Sequence, residues 1–81
     1  MNEKKIYGLQ PYEQEADGLY EVWHEHLEKF GRRDDYWDRV VQQACDFGKR
    51  YVGTSIEKQA GEEILRHVTA LEIEWRRIRT K

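Results

Sequence analysis

The sequence predicts an all-α protein, either a three-helix bundle or an antiparallel helical hairpin with a third helix, behind a short N-terminal arm. Three observations predict it. Apolar residues recur at alternating spacings of three and four in three separate segments. Two short breaks, Gly31-Arg32-Arg33-Asp34 and Gly53-Thr54-Ser55, divide those segments. The one proline, Pro11, stands where a helix can begin, because its missing N–H would be unpaired there anyway.

The arm covers residues 1–11. The first helix is expected over about 12–30, with Ala16, Tyr20, Trp23, Leu27 and Phe30 on its core seam and Gly31 as a left-handed stop. Gly18 inside it costs about 1 kcal/mol against alanine. The second is expected over about 35–52. Asp34 or Asp35 caps it, Trp37, Val40, Ala44, Phe47 and Tyr51 form its seam, and Gly53 ends it. The third is expected over about 55–79, with a capping box of Thr54 and Glu57 at its start. Ile64, Val68, Leu71, Trp75 and Ile78 form its seam, and Arg76, Arg77 and Arg79 face the negative end of the helix dipole. Short connections make neighbouring helices antiparallel.

With 81 residues the chain makes one domain, 1–81, with a thin core. Charged residues make up 37% of it, yet both signs are mixed and the net charge is only -2. That balance excludes a generic polyanion binder and a heavily acidic nucleic-acid mimic. Cys45 is the single cysteine, so no internal disulfide can form and an oxidising compartment is not implied. No apolar run approaches the roughly 20 residues that span a bilayer. Met1 to Ile6 has no apolar core of a signal peptide, so the expected location is the cytoplasm, without membrane partners.

No residue pattern points to catalysis or to a cofactor. His24 and His26 are two apart, which puts them on different sides of a helix. His67 follows Glu63 by four, the spacing of a carboxylate–imidazole pair, but the sequence offers no third ligand nearby, and surface histidines are the simpler account. Cys45 is expected to be a half-buried, inert thiol in mid-helix. The carboxylate pairs Asp34-Asp35, Glu62-Glu63 and Glu72 with Glu74 fit capping and solvation better than acid–base work across a cleft. An enzyme is therefore not expected, and neither a metal site nor a cofactor site is assigned.

Two kinds of partner remain. The run from Trp75 to Lys81 carries four cations and could hold phosphates, with Trp75 stacking on a base. Against this, Trp75 and Ile78 fit the core seam, and acidic Glu57, Glu62 and Glu63 crowd the start of the same helix. A protein partner fits better. Leu19, Val22, Val41, Leu65 and Ile73 lie off the seams, and Ile6, Tyr7, Leu9 and Tyr12 add apolar surface in and beside the arm. Aromatic residues and arginines dominate protein interfaces, so the partner-binding candidates are Tyr7, Tyr12, Tyr20, Tyr36, Ile73, Arg76, Arg77 and Arg79. The same apolar surplus would also serve a homodimer.

The stretch from Asp35 to Ala44, followed by Leu71-Glu72-Ile73-Glu74-Trp75-Arg76-Arg77, resembles small helical accessory proteins of phages and prophages of Gram-positive bacteria. It covers roughly the second half of the chain and carries over no functional residue. The resemblance implies a protein that binds and inhibits a bacterial host or defence protein, as anti-CRISPR proteins do, in the cytoplasm of the host cell.

Overall fold

Residues 10–80 are described in a computed structural model. They form three α-helices: α1 (Pro11–Phe30), α2 (Asp34–Lys49) and α3 (Glu57–Arg79). The fold is the expected all-α bundle. No helix among these residues is long and apolar enough to cross a membrane.

The seams work as the three-four spacing requires. Ala16, Trp23 and Leu27 of α1, Val40 and Phe47 of α2, and Ala60, Ile64 and Leu71 of α3 are buried together. Tyr20, Trp37, Ala44, Tyr51, Val68, Trp75 and Ile78 pack against them half-buried. Phe47, Leu71 and Val40 are the largest side chains with no solvent contact. Phe30 departs from expectation. The chain turns immediately after it, so its ring is left at an open helix end, edge-on to His26 at 5.5 Å.

The helices run up, down, up. Trp37 near the start of α2 stacks on Trp75 near the end of α3, with centroids 4.6 Å apart and rings 16° from parallel. Tyr51, just beyond α2, donates to Glu15 near the start of α1 at 2.9 Å. α3 is the central element, packed along both neighbours, and α1 and α2 touch each other much less. The result is flat, with a shortest dimension of 15 Å. That is about one interhelical spacing plus one backbone width.

Helix ends differ in detail from the expected ones. α1 begins with Gln10 at the cap position, and the Glu13 carboxylate accepts the Gln10 N–H at 2.8 Å. Gly31 is right-handed rather than left-handed, with φ -61°. It is glycine for space: a Cβ there would strike the Leu27 carbonyl oxygen and Cδ1. Its carbonyl accepts the Trp75 indole N–H at 2.9 Å. Arg33, not an aspartate, holds the cap position of α2, and Asp34 and Asp35 lie in its first turn, where the dipole favours them. α2 stops at Lys49, short of Val52, and the following turns place Gly53 at φ 85°. The capping box expected of Thr54 and Glu57 does not form. The Thr54 hydroxyl donates to the Tyr51 carbonyl at 2.6 Å, and Glu57 accepts the Gly53 N–H at 3.0 Å. α3 therefore starts two residues late, behind Ile56.

Candidate interaction surfaces

A groove of about 360 Å³ runs between α1 and α2, and no residue of α3 lines it. α1 and α2 touch each other little while each packs on α3, which leaves this space between them. Its floor is Trp23, Tyr36 and Val40. Two large apolar side chains stand exposed at its edge, Val22 at 46% and Phe30 at 39%. Charge completes the rim. Asp35 pairs with Arg33 at 3.3 Å and with Arg39 at 3.4 Å, and the Arg33 guanidinium lies 6.0 Å above the Phe30 ring.

The polar groups of the floor are already satisfied. The Trp23 indole N–H donates to the Gln43 side chain. The Tyr36 hydroxyl donates to the Trp23 carbonyl at 2.6 Å. Burial, followed by the influence of Tyr20, pushes the Tyr36 hydroxyl up to about 12, so it stays protonated through the neutral range. Tyr36 was expected to bind a partner through its surface. It is instead buried and spends its hydroxyl on α1, so it can shape the groove but not reach out of it.

The other candidates fall in three places. Tyr7 lies outside the described residues. Tyr12 and Tyr20 are half-buried beside α3: Tyr12 sits edge-on to Tyr51 at 6.3 Å, and Tyr20 stacks on His24 at 5.7 Å. Burial, and then Glu13, pushes the Tyr12 hydroxyl up. Ile73 is 56% exposed, and Leu65, on the same side of α3, is 64% exposed. Arg76 is held by Glu72 at 2.8 Å and Arg77 by Glu74 at 3.4 Å. Arg79 lies 4.9 Å over the Trp75 ring, which is already stacked on Trp37. The end of α3 is thus a surface of paired charges rather than a basic strip, and Trp75 is used in packing.

His67 corrects a different expectation. A third group does approach it, from α1. Its Nε2 lies 2.7 Å from Asp17 Oδ1, its Nδ1 lies 2.8 Å from the Glu63 carbonyl, and the Glu63 carboxylate is 3.7 Å from Nδ1. Asp17, Glu63 and His67 could together hold a metal ion, with donor atoms within 4.8 Å of one another. The same geometry ties α1 to α3 without one. No sequence spacing links Asp17 to His67, and only the parallel docking of α1 on α3 brings them together. Cys45 is exposed rather than half-buried, because Val40, Ala44 and Phe47 take the inward side of α2.

No protein family matches the sequence, and no curated protein or solved structure matches it.

Proposed function

We propose that the protein is a non-enzymatic protein-interaction module whose partner sits in the α1–α2 groove. The observation that carries this is the exposure of Val22 and Phe30 beside a floor of Trp23, Tyr36 and Val40. An aromatic-lined cleft with an arginine rim has the composition of an interface hot spot. Catalysis has less support there. Among the lining residues, Asp35 pairs with both Arg33 and Arg39, Tyr36 donates to backbone, and His26 lies edge-on to Phe30, so no nucleophile stands beside a base.

The class of partner rests on the resemblance of the second half of the chain to phage and prophage accessory proteins. On that reading the groove captures a bacterial host or defence protein and inhibits it, in the manner of an anti-CRISPR protein. The test is affinity capture from a lysate of a Gram-positive host, with wild type, Val22→Asp and Phe30→Asp compared. Both positions are exposed, so circular dichroism should be unchanged in both variants. The expected result is one protein retained in stoichiometric amount by wild type and lost with either variant. Retention that survives both substitutions would remove the groove as the binding surface.

A further inference from the structure

The side of α3 turned away from the core, whose Arg66 edge borders α1, has an internal symmetry. Thr69 is its centre. Glu62 and Arg76 lie seven residues to either side, Leu65 and Ile73 four, and Arg66 and Glu72 three. The spacing runs in threes and fours, so all seven share one face of the helix. Six of them are exposed and Glu72 is half-buried. Each acid on one side of Thr69 is matched by a base at the same distance on the other side, and each aliphatic residue by an aliphatic.

We propose that this face binds the same face of a second copy of the chain, with the two α3 helices antiparallel about a two-fold axis at Thr69. In a two-fold interface, if residue i meets residue j then j also meets i. The antiparallel arrangement sets Glu62 across from Arg76 of the second copy, Leu65 across from its Ile73, and Arg66 across from its Glu72. Every one of these contacts occurs twice. A parallel pair would set each charge against its own kind, which is unfavourable. Thr69, the small residue at the centre, lets the helices approach closely there. Burial of Leu65 and Ile73, now 64% and 56% exposed, supplies the attraction, and the charges choose the direction.

The single chain is poised for this exchange. Arg76 is paired with Glu72 and Arg66 with Glu63, all on one helix, and both arginines are largely in solvent while their carboxylates are half-buried. The Arg76–Glu72 pair lies near the surface, where ion pairs are weak, so trading it for a pair across an interface costs little. Glu62 has no ion-pair partner among the described residues. The α1–α2 groove lies elsewhere, so a dimer through α3 leaves both grooves open. This inference goes beyond the proposed function and holds or fails without it.

The test is light scattering on the full chain over a concentration series up to about 1 mM, the range in which weak association is read. Four samples are compared: wild type, Glu62→Arg, Arg76→Glu, and the two variants mixed one to one. Circular dichroism checks that each is folded. Wild type should rise from 9.8 kDa toward twice that mass. Each single reversal should weaken association on the order of tenfold or more, because it creates two like-charge contacts. The mixture should recover the wild-type curve, since both opposite-charge contacts are restored in the heterodimer. A wild type that stays at the monomer mass throughout would overturn the proposal. So would a dimer that neither reversal weakens, or a mixture that remains monomeric while wild type dimerises.

Discussion

The two faces of α3 use similar residues to different ends. The inner face presents Ala60, Ile64 and Leu71, all buried, with Val68, Trp75 and Ile78 half-buried beside them. The outer face presents Leu65, Thr69 and Ile73 in solvent, bordered by Glu62, Arg66, Glu72 and Arg76. Both repeat at threes and fours. Only the inner face meets the seams of α1 and α2. The contrast shows that helical periodicity specifies a packable face without saying what will pack on it. Within this chain the inner face is packed, and the outer one stays in solvent.

The largest effect should come from the inner face. Leu71→Ala is expected to cost about 2–5 kcal/mol, the range for truncating a fully buried leucine. A domain of 81 residues has on the order of 4–12 kcal/mol in total, so denaturant unfolding should show a large loss. A cost under about 1 kcal/mol would mean that the inner seam is loosely packed. Ala60→Leu tests the same face from the other direction. Ala60 has no exposed surface, and overpacking there should cost about 1–3 kcal/mol. A neutral result would show that α3 can shift outward to accept the added volume.

Tyr36→Phe should cost about 1 kcal/mol through the lost hydrogen bond to Trp23. It should also change the alkaline limb of stability. The Tyr36 hydroxyl is raised in the folded state from 10.0 to about 12. A raised value means that the contribution is fully present below pH 10 and is lost as pH climbs toward 12. Wild type should therefore destabilise over that window, and Tyr36→Phe should do so less steeply. Tyr12 and Tyr51 are raised too and will keep part of the slope in both proteins. Equal slopes would mean that Tyr36 ionises as freely in the folded chain as in the unfolded one. The smallest effect belongs to the outer face. Leu65→Ala should change monomer stability by no more than about 0.5 kcal/mol in dilute solution.

Much of the fold was legible because each helix repeats its own apolar spacing. Trp23, Leu27, Val40, Phe47, Ile64 and Leu71 could all be placed on seams from neighbours three and four residues away. Tyr36 could not. It flanks the seam of α2, and its burial depends on a carbonyl of α1 thirteen residues earlier. The pairing of Asp17 with His67 spans fifty residues and has no local trace. Gly31 fits a turn former in the sequence, whereas its requirement comes from the close approach of Leu27. The α1–α2 groove reflects how little those two helices touch, which no spacing encodes. The outer face of α3 was legible in part: Ile73 stood out as an apolar residue off the seam. The reversed order of charges about Thr69 is also present in the sequence, but it acquires meaning only once that face is known to be free.

The most direct test of the division of α3 is one substitution made on each face. Ile64→Asp and Ile73→Asp place the same carboxylate nine residues apart on the same helix. Denaturant unfolding at low micromolar concentration, where self-association is negligible, compares them with wild type. Ile64→Asp should leave the chain unfolded or lose more than about 4 kcal/mol, because a charge would enter the core unpaired. Ile73→Asp should stay within about 0.5 kcal/mol of wild type. A loss at Ile73 as large as that at Ile64 would show that the outer face holds the fold together and is not a surface kept for another molecule.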